Sequence, residues 1–258
     1  MRRAGTRRTS RDPEGVDVFV PAAYRQPDQS WTLDMIRSNP LALLVTADPL
    51  GRGVHATHIP VILDPAAGDP AVDDPTAGDP AAGNPTAGDP TAGDPAEIVL
   101  LGHMNRANPH WAAVDAGEAL LVFTGPHSYV SPTIYGTTPA APTWNFTSVH
   151  VRGPVQRIGE SEPTLAVVQE TVRAYEAEFG TGWDMSESVD YFRKILPAVG
   201  AFRIHGRRTE AMFKLSQDQP SELRERVRES FGGDPAGRRG EVADLMCRWQ
   251  RESGPAAR

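Results

Sequence analysis

Apolar residues run without interruption through LALLVTA (41–47), a length and composition that predict a strand buried on both faces. DPLGRG (48–53) turns the chain, and VHATHIPVIL (54–63) returns it with alternating polar and apolar positions. EIVLLGHM (97–104) predicts a strand paired with 54–63, and further strands are expected at 119–124, 129–135, 144–158 and 201–206, the last followed by MFKLSQ (212–217). Helical spacing is strongest from Glu162, where Leu165, Val168, Val172, Tyr175 and Phe179 recur between Pro163 and Gly180. Ser30 is placed to cap a short helix over 31–38, stopped by Asn39-Pro40, and a charged helix starts near Ser221. A tail helix carries Val242, Leu245, Met246 and Trp249 on one face, to pack back or meet a partner. Strands predominate and helices flank them. The expected class is mainly β (α+β), a barrel with peripheral helices.

Two segments break this pattern. Residues 65–95 repeat a five-residue unit of the type PTAGD; proline at every fifth position excludes a helix, and the unit has too little apolar surface to order itself. It reads as a disordered insertion replacing a hairpin turn, at a loop-closure cost that grows only logarithmically with length. Residues 1–16 carry five arginines with no apolar run behind them, and read as a disordered tail rather than a secretory signal. The expected organisation is therefore one domain over 17–231, followed by a linker and helix over 232–258. The 258-residue chain has a formal charge of −7, only Lys194 and Lys214 as lysines, and a single cysteine, Cys247. That excludes an internal disulfide framework, points to a reducing, cytoplasmic setting, and gives direct DNA binding little support. No run is long and apolar enough to predict a membrane span.

Familiar motifs fail on context. GRGVHA (51–56) matches a dinucleotide fingerprint, but the β-branched residues and Pro60 that follow belong to a strand, so a hairpin turn explains both glycines. His55 and His58 are three apart on a strand and point to opposite faces, so no metal site is expected. What remains is three polar and aromatic clusters at strand ends: GHMNRANPHW (102–111), FTGPHSYVSPTIY (123–135) and PTWNFTSVHVRGPV (142–155). Within the first, Asn108-Pro109 either only caps a short helix that carries Trp111 into the core, or joins Arg106 in holding an anion. Three such clusters in one small barrel predict a shared pocket for a planar ligand with an anionic end.

THIPVIL, GHMNRANPHW, GPHSYVSPTIY, PTWNFTSVHVRG and FKLSQ, in this order, resemble the PaiB-type family of FMN-binding negative transcriptional regulators, from about Phe19 to about Phe231. The resemblance implies an FMN-binding split β-barrel like the pyridoxamine-phosphate-oxidase relatives, with FMN at the boundary of a homodimer. It implies that Thr57 and His58 lie near the flavin ring and that His103, Arg106 and Asn108 grip the phosphate. From the second subunit it implies His150, Arg152, Lys214 and Gln217. Trp111 and Trp144 either wall the ring or fill the core, and Lys214 either meets the phosphate or packs on Phe213 at the surface. The implied function is that of a transcriptional regulator or metabolic sensor, with a small-molecule effector. The alternative is a small flavin-dependent oxidoreductase, in which His58, His103 or His127 carries protons. A haem-handling relative is a third reading, with no motif that singles out a ligand.

Overall fold

The computed structural model describes residues 18–67, 98–159, 161–233 and 237–253. The tail expected over 1–16 and all of the repeat beyond Ala67 lie outside the described residues. The strands are β1 (Leu41–Ala47), β2 (Val54–Leu63), β3 (Ile98–Asn105), β4 (Glu118–Val130), β5 (Thr143–Ile158), β6 (Val199–Gly206) and β7 (Arg208–Lys214). The helices are α1 (Gln29–Ser38), α2 (Pro132–Tyr135), α3 (Ser161–Glu178), α4 (Val189–Ile195), α5 (Ser221–Gly232) and α6 (Arg238–Ser253). The strands bond in the order β4-β1-β2-β3-β6-β5-β7, and a β4–β5 pairing closes the first six into an antiparallel barrel. No helix among the described residues is long and apolar enough to cross a membrane.

β5 makes this closure possible because it changes partner along one edge. Residues 146–152 pair with β7, and residues 155–158 pair with β6. Gly153 stands at the handover, where a Cβ would lie 1.7 Å from the His205 carbonyl oxygen, so only glycine lets the strands cross this closely. Inward positions alternate along each strand. Leu44, Val61, Leu100, Leu121, Val149, Phe202 and Ile204 are fully buried, each contributing about 1.5–3 kcal/mol of hydrophobic stabilisation. α5 and α6 extend the same core through Val227, Phe231, Val242 and Met246, so the tail helix packs back on its own chain. On another wall, α3 covers Ile62, Leu101 and Ala201 with Val167, and the Tyr175 hydroxyl donates to the Val61 carbonyl at 3.0 Å.

Several expectations shift. The first helix starts at Gln29, and its cap is Asp28, which accepts from the Ser30 amide; Ser30 is a residue inside the helix. β1 buries only one face fully: Ala42, Leu44 and Thr46 are buried, whereas Leu41 is 62% exposed. The strands expected at 119–124 and 129–135 are a single strand to Val130, bent by a register shift between Thr124 and His127, and Pro132–Tyr135 is helical. α3 buries Thr164, Leu165, Val167 and Thr171, a face rotated from the expected stripe, and leaves Phe179 56% exposed. Within 232–258 the linker is short, since α5 runs to Gly232 and Arg238 already belongs to α6. The pairing of β2 with β3 across the repeat holds, with Val61 opposite Gly102, and GRGVHA is a hairpin turn with Gly51 and Gly53 at positive φ.

Candidate functional site

GHMNRANPHW ends β3 and closes one mouth of the barrel. Asn108 caps the 3-10 turn Pro109–Ala113, its side chain accepting from the His110 amide at 3.0 Å. This turns His110 inward, where it is 2% exposed, between the Thr46 hydroxyl at Nε2 and the Thr57 hydroxyl at Nδ1, both at 2.9 Å. Burial, with His55 nearby, pushes the His110 pKa down to about 4. His55 stacks on it at 5.2 Å and bonds Asp48 at 3.2 Å, and the Arg52 guanidinium holds Asp48 well below the usual carboxylate range. Trp111 lies against Gly200, and the guanidinium groups of Arg106 and Arg157 lie over its ring at 5.7 and 4.9 Å. Arg106 also donates from Nε to the Val199 carbonyl at 2.7 Å. Polar groups at the mouth are thus engaged with one another, and they seal the barrel.

A different surface gathers residues with unmet bonding capacity. Directly paired strand residues share a face, so the registers place His58, Leu43, Val122, His150 and Glu210 in one row across the outside of β2, β1, β4, β5 and β7. The next row towards the mouth is Ala56, Val45, Leu120, Arg152 and Arg208. Beyond the β4 bend the same face carries His127 and Tyr129, opposite Phe146 and Trp144. His58 and His150 are three strand spacings apart, roughly 14 Å. Between them lies a half-buried apolar strip of Leu43, Val45, Leu120 and Val122. Arg152 Nε stands 3.6 Å from Glu210 Oε2, an ion pair too long for a hydrogen bond. Arg152 Nε and His150 Nδ1 are buried with no hydrogen-bond partner among the described residues. Burial, seconded by Arg152 and opposed by Glu210, moves the His150 pKa downward. At the far end of this face a groove of about 560 Å³ opens between Leu41, Leu43, His58 and Val122 on the strands and Arg238 and Glu241 on α6.

The eleven sequence-predicted residues therefore divide. His58, Trp144, His150, Arg152 and Lys214 share the outer face. Trp144 is half exposed beside Tyr129 and His127, and Lys214 donates to the Thr143 hydroxyl at 2.6 Å with its ammonium over the Tyr24 ring. Thr57, Asn108, Arg106 and Trp111 are at the mouth. Gln217 braces the turn after β7, accepting from the Leu215 amide and donating to the Phe213 carbonyl. His103 pairs with Ala201 on the wall that α3 covers, and burial lowers its pKa. Sequence reasoning passed over His110, although it lies within the quoted motif, because its partners Thr46 and Thr57 are joined only by the β1–β2 pairing. It also passed over Leu43, Val122 and Arg238. A period-two count from Leu44 outward would have found the first two.

The chain is a flavin-binding split barrel: its strands close into an antiparallel barrel, and its sequence carries an FMN-binding domain. The chain matches the family model described as "Putative FMN-binding domain" over residues 18–208 and belongs to that family. Its cofactor is FMN. Among solved structures, it is similar to the FAD and heme binding protein from Mycobacterium smegmatis, at 13% identity over 77% of each chain with a TM-score of 0.46. It is also similar to the conserved hypothetical protein Rv2991 from Mycobacterium tuberculosis, at 16% identity over 79% of this chain and 94% of that one, with a TM-score of 0.45. No curated protein matches the chain. The outer face fits the cofactor: the apolar strip suits a flat ring, and the buried, unbonded Arg152 Nε and His150 Nδ1 suit a group that brings its own oxygen atoms.

Proposed function

We propose that the protein is a PaiB-like, cytoplasmic homodimer that holds FMN on the outer face of β2, β1, β4, β5 and β7, where a second copy covers it, and that it serves as a metabolic sensor or transcriptional regulator. The observation that carries this reading is the pairing on one face of an apolar strip with buried, unbonded Arg152 and His150 atoms. The Glu210 carboxylate, 3.6 Å from Arg152 Nε, balances part of the charge without bonding that donor, and the flavin phosphate, with nearly two negative charges, would supply the missing acceptor. Leu43, Val45, Leu120 and Val122 would support the ring, His58 would border it, and His150 and Arg152 would hold the phosphate. Trp144 and Lys214 lie on the same face and would complete the boundary with the partner. Arg106 ranks lower as a phosphate ligand, because its guanidinium already serves Val199 and Trp111.

Bound FMN supplies hydride or electron transfer, and the chain's part is to bind it, orient it and exclude water. A second reading, a small flavin-dependent oxidoreductase, is favoured by the groove beside His58, which leaves room for a small molecule next to the same face. Its His58 imidazole is exposed and in place to exchange protons with such a molecule. Direct contact with DNA has less to support it, since the chain is acidic.

The test is an FMN titration of three proteins. Arg152→Ala is expected to weaken binding at least tenfold, about 1.4 kcal/mol, with Arg106→Ala close to the unaltered chain. A loss confined to Arg106→Ala would move the phosphate to the barrel mouth. Steady oxidation of a nicotinamide donor by the holoprotein would favour the oxidoreductase; an inert flavin with salt-sensitive operator binding would favour the regulator.

A further inference from the structure

The groove at the end of the outer face has one wall from outside the family match. Residues 18–208 carry the family domain, whereas Arg238 and Glu241 belong to α6. α6 is firmly seated. Val242 and Met246 are fully or nearly fully buried, Arg248 bonds Asp34 at 2.8 Å and covers the Trp31 ring at 4.4 Å, and Trp31 donates to Glu252 at 2.5 Å. A helix held this way delivers its first turn to a fixed place.

What it delivers is a guanidinium bonded to a neutral base. Arg238 Nη1 stands 2.9 Å from His127 Nε2. A guanidinium has only donors, so His127 accepts at Nε2 and carries its proton on Nδ1. His127 is braced in turn by the Trp144 ring at 5.7 Å. Arg238 makes no ion pair among the described residues. It therefore keeps its full charge and most of its five donors for a ligand. The opposite lining is apolar: Leu41, Leu43 and Val122. Glu241, one turn further along, places a negative charge on the same wall and disfavours a second anionic group.

We propose that this groove is a binding subsite for a small monocarboxylate with an apolar or aromatic body, its carboxylate read by Arg238 and its body lying on Leu41 and Pro126, beside the Leu43 and Val122 side chains that the flavin covers. The inference rests on the reading that FMN occupies the adjoining outer face, and it names the class of effector or substrate that would sit beside the flavin. Arg238 acts as a specificity-determining residue and has no part in holding FMN.

Benzoate and its uncharged counterpart benzyl alcohol test this by calorimetry on the FMN-loaded protein, alongside Arg238→Gln. Arg238 is exposed, so the variant is expected to fold and to keep its FMN affinity. The expected result is binding of benzoate that is at least tenfold tighter than that of benzyl alcohol, and loss of that preference in Arg238→Gln. Equal binding of the two probes, an unaltered preference in Arg238→Gln, or displacement of FMN by benzoate would each overturn the proposal. Should the chain take up no FMN, the same titration on the cofactor-free protein decides the matter separately. A charge preference that depends on Arg238 would support the subsite even as the flavin reading failed, and its absence would end both.

Discussion

His110 shows how one side chain can fasten a fold. It joins β1 and β2 through two threonine hydroxyls, and burial, with His55 nearby, favours its neutral form. Its pKa in the fold, about 4, is below the usual histidine value near 6.5. The unfolded chain therefore binds a proton more readily than the folded one. The stability due to this group is complete above about pH 6.5 and is lost as pH falls towards 4. His103 and His150 shift in the same direction and add to the effect. Melting temperature followed from pH 7 to 4 is expected to fall, and to fall less steeply in His110→Gln. A second residue-scale prediction concerns Gly200, whose added Cβ would lie 2.6 Å from the Trp111 indole. Gly200→Val is expected to cost about 1–3 kcal/mol in denaturant unfolding, through overpacking at the barrel mouth. The motif around His110 was legible in the sequence as a dense polar cluster. Its role was not, because the deciding partners lie 53 and 64 residues away.

At the scale of elements, β1, β2, β5 and the hairpin turn between β1 and β2 follow from hydrophobic runs, alternation and glycine placement. The errors share a physical source, which is that local pattern does not report what lies opposite. β4 continues through Gly125 and Pro126 because β5 pairs with both halves of it, a tertiary reason with no local trace. The face of α3 is set by the wall of β2, β3 and β6 beneath it, which selects Thr164, Val167 and Thr171 over the more hydrophobic stripe. α6 was legible as amphipathic, but the sequence left open whether it packs back. Because Met246 is buried and touches Asn145, Met246→Ala is expected to destabilise the whole domain by about 2–4 kcal/mol in a single transition. A separate low-temperature transition for the C-terminal helices would show that they form their own unit.

For the whole molecule, the barrel presents two walls with opposite characters. One is covered by α3, while the outer face of β2, β1, β4, β5 and β7 carries exposed Leu41 and Val54 beside half-buried Leu43, Val45 and Val122. Exposed apolar strips edged by bases mark binding surfaces. The resemblance to PaiB-type proteins led to the cofactor, and of the eleven residues named from motif position or aromatic stacking five lie on this face, while the other six lie at the mouth, on the α3 wall and in the β7 turn. Motif position names residues, but only register and the closing β4–β5 pairing tell which of them share a surface. A charge placed in the strip, Val122→Glu, is expected to turn a dimer into monomers in sedimentation and to weaken FMN binding together with dimerisation. The most direct measurement is the FMN dissociation constant of Arg152→Ala beside that of the unaltered chain. The outer-face account requires at least a tenfold increase. An unchanged constant in a folded variant would contradict it.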